Sequence, residues 1–279
     1  MKIFSKKSEI QLYLNEIREG KIVSFIPTMG SLHEGHISLL ENAKQNSDIV
    51  ICSIFVNPTQ FNNHLDFQKY PRQENVDIDI LTENKCDILY LPDESDLYEQ
   101  NEKAKRFDFD GLDMFMEGVG RKGHFNGVAT IVEKLFKILT PEKAFFGEKD
   151  LQQLQIIRHI TKKLQFSIEI IGVATKREKS GLAISSRNKL LLPQDLQKAA
   201  IIYQTLKFVK NNSSNFTIDE LKKLSIEKFA LQKDMTLEYL EIVSLEKLQP
   251  ISEILDKNEN AACIAASIDS VRLIDNIIF

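Results

Sequence analysis

His33 and His36 stand three residues apart in Pro27-Thr28-Met29-Gly30-Ser31-Leu32-His33-Glu34-Gly35-His36, a stretch that joins an apolar β-rich run to a helix-like one. At a strand-to-helix junction the free backbone N–H groups and the helix dipole favour an anion, and two imidazoles on one side of the first turn can donate to the same polyphosphate. Gly30 and Gly35 let backbone and ligand approach closely. A second stretch, Gly147-Glu148-Lys149-Asp150, falls at another change from strand to helix. Lys149 can reach a phosphate there, and Asp150 can cap the helix or hold a ribose hydroxyl. A third, Ser185-Ser186-Arg187, sets two hydroxyls beside a guanidinium, a compact group of phosphate donors. Each has a plain reading too: surface histidines, a helix cap, a solvated loop.

Several other chemistries are excluded by spacing. His33-Glu34-Gly35-His36 lacks the two residues that a zinc metalloprotease helix places between Glu and the second His. That segment holds neither a Gly-Lys-Ser/Thr phosphate loop nor a Gly-x-Gly-x-x-Gly fingerprint, and the chain has no Gly-x-Ser-x-Gly elbow. Cys52, Cys86 and Cys263 are widely separated and mostly lie in apolar runs, as reduced core thiols do.

The elements that must carry these groups alternate over the first two thirds. Strands are expected at 21–27, 49–56, 86–91, 143–146 and 167–174, and helices at 76–84, 128–139 and 150–164. Residues 49–56 are apolar almost throughout, as a central parallel strand covered on both faces requires. This predicts an α/β fold, a doubly wound Rossmann-like parallel sheet. After about Lys176 the order changes to helices at 194–210 and 217–232, then strands at 237–245, 261–268 and 272–278, the pattern of a smaller C-terminal α+β domain. We therefore expect domains at 1–176 and 177–279, in keeping with 279 residues and about 150 residues per domain.

Composition narrows the class further. The chain is 43% hydrophobic and 27% charged, an ordinary globular balance, and its net charge of −4 offers nucleic acid no global positive field. The longest clean apolar stretches, 49–56 and 261–268, are eight residues long, against the roughly 18 of a membrane-spanning helix. Polar residues interrupt the first twenty before any signal-peptide core can form. A cytoplasmic location is expected.

Several longer stretches carry a resemblance. Phe55-Val56-Asn57-Pro58-Thr59-Gln60-Phe61, Tyr70-Pro71-Arg72, Gly123-His124-Phe125-Asn126-Gly127-Val128, residues 145–153, residues 180–188 and Arg272-Leu273-Ile274-Asp275-Asn276 follow one another as in the pantothenate synthetase family, and the His-x-Gly-His segment resembles the nucleotidyltransferase superfamily signature. The resemblance implies condensation of pantoate with β-alanine through a pantoyl-adenylate, consuming ATP and releasing AMP and pyrophosphate. It implies catalytic roles for His36, His33, Lys149 and Arg187. It places ATP at Met29, Gly30, Ser31, Leu32, His33, Glu34, Gly35, His36, Gly147, Glu148, Lys149, Asp150, Lys176, Ile184, Ser185, Ser186 and Arg187, pantoate at Gln60 and Gln153, and β-alanine at Gln60. Magnesium is expected with ATP; where the family often has adjacent acidic residues for it, this chain has Val76-Asp77, so only Asp77 matches. A homodimer is implied, with neither nucleic acid nor membrane as partner. Two other readings of the same loops are a nucleotidyltransferase that passes AMP to a phosphorylated acceptor, and a non-catalytic nucleotide sensor.

Overall fold

The structure, a computed structural model, describes residues 1–62, 67, 68 and 70–279. The chain forms two compact units, one of Met1–Phe109, Arg121–Glu148 and Gln153–Ala174, the other of Asp110–Gly120, Lys149–Gln152 and Thr175–Phe279. The main division thus falls between Ala174 and Thr175, two residues before the expected one. Two short earlier stretches also belong to the second unit, which sequence alone did not suggest.

The first unit is built on a parallel sheet of β1 (Lys2–Phe4), β2 (Val23–Thr28), β3 (Ile49–Ile54), β4 (Ile88–Tyr90), β5 (Lys143–Gly147) and β6 (Glu169–Val173), in the order β1-β4-β3-β2-β5-β6. Its helices include α1 (Lys7–Ile17), α2 (Glu34–Asn46), α3 (Glu74–Glu83), α4 (His124–Leu139) and most of α5 (Leu151–Lys163). Every residue of β3 is buried, as its unbroken apolar run requires of a central strand. Leu39, Leu40 and Ala43 of α2 recur at helical spacing and pack with Ile26, Val50, Cys52 and Leu89 in the core.

The strand order reverses at β2 and β5, the place where ligands enter a doubly wound sheet. Register shows how that place opens. β2 pairs with β5 only at Ser24↔Lys143 and Phe25↔Ala144, although the two strands continue to Thr28 and Gly147. Pro27 sits beyond the last of these pairs, where the ladder makes no demand on the N–H that proline lacks. The loops that follow β2 and β5 therefore leave the same carboxyl edge of neighbouring strands.

The second unit has an antiparallel sheet of β7 (Met235–Ser244), β8 (Asn260–Ile268) and β9 (Val271–Ile278), in that order. With it come α6 (Pro193–Ala199), α7 (Ile201–Asn212) and α8 (Ile218–Ala230). Leu206, Val209, Leu221 and Phe229 pack with Ala262, Ile264 and Ala266. The single helix expected at 194–210 is two, α6 and α7. Thr217 begins α8 with a reciprocal cap, its hydroxyl accepting from the Glu220 N–H while the Glu220 carboxylate accepts from the Thr217 N–H.

All three cysteines are free and buried. Burial pushes the Cys86 thiol up to about 11 and the Cys263 thiol up to about 12, so neither forms a ready thiolate near neutrality. Among the described residues no helix is long and apolar enough to cross a membrane.

Candidate active site

The loop after β2 turns sharply into α2. Gly30 has φ +77° and Ser31 φ +52°, both in the left-handed region. A side chain at Gly30 would place its Cβ 2.8 Å from the Asp77 carboxylate, so glycine answers both the angle and the crowding. Asp77, on α3 and only 1% exposed, accepts the Ser31 N–H at 2.8 Å on Oδ2 and the Leu32 N–H at 2.7 Å on Oδ1. A magnesium ligand needs carboxylate lone pairs open to the ion and its waters. Asp77 is buried with both oxygens occupied, so it does not fit that expectation; its observed work is to brace the loop. Among the described residues there is no group of three or more His, Cys, Asp or Glu side chains suited to a metal.

His33 is the N-cap of α2, a place more often taken by Ser, Thr, Asp or Asn. Its Nδ1 accepts the Gly35 N–H at 3.1 Å, while Nδ1 of His36 accepts the His33 N–H at 3.3 Å. The two rings lie tilted with centroids 4.0 Å apart. An imidazole that accepts at Nδ1 carries its proton on Nε2 in the neutral form. Both half-buried histidines are thereby set as Nε2–H donors beside a helix N-terminus. Glu34 next to them is exposed and Leu32 is core.

Gln60 closes a 3-10 turn, Pro58–Gln60, just after β3 and is buried. Its Oε1 accepts from Asn57 Nδ2 at 3.1 Å, its Nε2 donates to Met29 Sδ at 2.9 Å, and its carbonyl accepts from His124 Nδ1 at 2.8 Å. Asn57 also donates to the Gly127 carbonyl and accepts the Tyr98 hydroxyl at 2.8 Å. The turn lies so close to α4 that a Cβ on Gly127 would come within 2.3 Å of the Thr59 carbonyl oxygen. The structure thus joins Met29 and Gln60, which lie far apart in sequence, and adds Asn57, Tyr98 and His124. None of those three was singled out from sequence for such work, although Asn57-Pro58 was legible as a strand end.

Gln153 is half-buried on α5. Its neighbour Gln152, readable in sequence as a surface amide, is buried in the second unit: Nε2 donates to the Leu112 and Phe115 carbonyls at 2.7 and 2.9 Å, and Oε1 accepts the Glu117 N–H at 3.0 Å. In that unit Lys149 Nζ lies 3.4 Å from Asp150 Oδ1. Lys176 is exposed and its carbonyl accepts the Ile184 N–H at 3.0 Å, forming a short hairpin. Ser185, Ser186 and Arg187 follow, half-buried, with the Ser185 hydroxyl donating to Asn188 Oδ1 at 2.7 Å. Gly147 ends β5 and Glu148 follows it, both in the first unit.

A doubly wound sheet with paired imidazole donors at its switch-point loop defines an α/β protein of the class that binds anionic ligands at the carboxyl edge. The profile of the pantoate-beta-alanine ligase family matches residues 2–278. A pantothenate synthetase of Christiangramia forsetii is 44% identical over 279 residues, covering 99% of this chain and 99% of that protein. The crystal structure of pantothenate synthetase from Thermus thermophilus superposes with a TM-score of 0.93 at 35% identity, covering 100% of this chain and 99% of the other. That of the pantoate-beta-alanine ligase of Francisella tularensis, complexed with beta-gamma ATP and beta-alanine, gives 0.82 at 35% identity over 100% and 97% of the two chains. The chain belongs to the pantoate-beta-alanine ligase family.

Proposed function

We propose that this chain joins pantoate to β-alanine in two steps through a pantoyl-adenylate. In the first, a pantoate carboxylate oxygen attacks the α-phosphorus of ATP, the new P–O bond forms and pyrophosphate leaves. In the second, the β-alanine amine attacks the acyl carbon, the amide forms, and AMP departs with the acyl C–O electrons while the amine loses a proton. Neither step needs a protein nucleophile. The protein must instead hold two anions together and stabilise charge on the departing pyrophosphate.

In this reading Nε2–H of His33 and His36 donates to phosphate oxygens, and Met29 to Leu32, Glu34 and Gly35 line the nucleotide. Lys149 and Arg187 supply positive charge to the β- and γ-phosphates, with Gly147, Glu148, Asp150, Lys176, Ile184, Ser185 and Ser186 beside them. Gln60 and Gln153 bind pantoate, and Gln60 also meets β-alanine. The observation that carries the reading is the pair of Nδ1 acceptor bonds, which puts the proton of each neutral ring on Nε2. Magnesium is proposed to arrive with ATP, ligated by phosphate oxygens and water, where it neutralises phosphate charge. A cytoplasmic homodimer, each subunit having the domains 1–176 and 177–279 with the second acting as a lid, completes the proposal.

The test is isotope transfer from labelled β-alanine into pantothenate, with pyrophosphate and AMP followed separately. Pyrophosphate should form with ATP and pantoate alone, and AMP release should require β-alanine. AMP transfer to a phosphorylated acceptor without β-alanine would indicate the nucleotidyltransferase, and binding without turnover the sensor. His36→Ala should lower adenylate formation by roughly 10²–10³-fold, the usual worth of one transition-state donor.

A further inference from the structure

Asp275 and Asn276, near the end of β9, touch both loops of the second unit to which phosphate contacts are assigned above. Arg177 opens the first of these loops. Its guanidinium forks onto Asp275, Nη1 to Oδ2 at 2.5 Å and Nη2 to Oδ1 at 3.0 Å, and the same nitrogens donate to the carbonyls of Gly181 and Asn276, each at 3.1 Å. The guanidinium carbon lies 3.9 Å from the centroid of the Tyr203 ring, a cation–π contact. Arg177 bridges Ala183 in antiparallel fashion, and Asn188 Nδ2 donates to the Ala183 carbonyl at 3.0 Å. The hairpin that delivers Ser185–Arg187 is thus tied to β9 at its root.

The second loop is tied by the next residue. Asn276 Nδ2 donates to the carbonyl of Lys149 at 2.8 Å, while the Asn276 N–H donates to Asp275 Oδ1 at 2.8 Å. Both side chains are almost fully buried, Asp275 at 3% and Asn276 at 5% exposure. A buried ion pair recovers little net stability once its desolvation is counted, whereas its fixed directions specify geometry well. We propose that Asp275 and Asn276 are positioning residues that set Lys149 and the Ser185–Arg187 loop in register with each other, so that ammonium, hydroxyls and guanidinium are spaced for one triphosphate. This rests on the assignment of Lys149 and Arg187 to ATP.

The test uses the full-length enzyme with Asn276→Ala, Lys149→Ala and the double variant. Asn276→Ala should reduce kcat/KM for ATP about tenfold, the equivalent of ~1.4 kcal/mol and of one hydrogen bond, while the KM values for pantoate and β-alanine stay at wild type. The double variant should be no worse than Lys149→Ala alone, because a residue acting through Lys149 has nothing left to position. Asn276→Asp keeps the volume but removes the donor, and should reproduce the ATP-specific loss should the alanine variant fold poorly. Wild-type ATP use by Lys149→Ala would remove the assignment of that lysine and this inference with it. A damaged Lys149→Ala beside a neutral, or strictly additive, Asn276 variant would overturn the inference alone, as would an equal rise in KM for all three substrates.

Discussion

Asp77→Asn separates a loop brace from a metal ligand. In the wild type each carboxylate oxygen receives one backbone N–H, from Ser31 at 2.8 Å and Leu32 at 2.7 Å, and the side chain is 1% exposed. Asparagine can accept only one of them, so one charge-assisted hydrogen bond of about 1.5–3 kcal/mol is lost. The amide NH₂ then faces the other buried N–H, and that unsatisfied donor costs a further ~1–3 kcal/mol. At about 2–4 °C per kcal/mol for a chain of this size, thermal unfolding should move down by roughly 10 °C. The same shift displaces the start of α2, and a displacement on the order of 1 Å lowers turnover about 10²-fold. Unfolding followed by circular dichroism and steady-state pantothenate formation read the two effects. A metal ligand would behave differently: activity lost on substitution would return as magnesium is raised. Recovery of turnover at high magnesium, or an unchanged unfolding midpoint, would refute the brace.

Two further substitutions probe neighbouring features. Gly127→Ala forces a Cβ to within 2.3 Å of the Thr59 carbonyl and 2.6 Å of Gln60 Cα, so the Gln60 turn must move; KM for pantoate should rise roughly tenfold with ~1–3 kcal/mol of lost stability, and unchanged pantoate saturation would contradict the placement of Gln60. Glu133 is buried, which alone would raise its carboxyl pKa, but Lys105 at 2.7 Å and Lys137 at 2.5 Å bind the charged form and hold the pKa below the usual value. A depressed folded pKa contributes stability above the ordinary carboxyl range and loses it as pH falls through the folded value. Glu133→Gln should therefore lower the unfolding midpoint at pH 7 by an amount that shrinks on acidification, and a difference independent of pH would count against the ion pairs.

Much of this architecture was readable because its signals are local. The apolar run of β3 and the histidines at a strand-to-helix change need no knowledge of distant partners. Other features were not readable because they depend on what lies across the fold. β1 is three residues long and takes its identity from pairing with β4, too short a stretch for periodicity to register. Asp77 resembled a ligand in sequence; only the two N–H groups donated to it reveal the brace. Gln152 and Gln153 look interchangeable on the page, yet about 100° of helical rotation separates them, and the former is spent on three backbone groups.

The assembly of the second compact unit from three separated stretches bears on how the chain can be synthesised and cut. Glu117, in the stretch 110–120, receives the Arg272 fork at 2.8 Å on each oxygen and the Tyr239 hydroxyl at 2.9 Å. During translation that glutamate must wait more than 150 residues for its cation, a long loop to close and a slow kind of contact to form. A gene fragment beginning at Thr175 would emerge with Arg272 held by Glu238 alone and its fork onto Glu117 lost, so the natural seam for dissection is not the place where the sequence changes character.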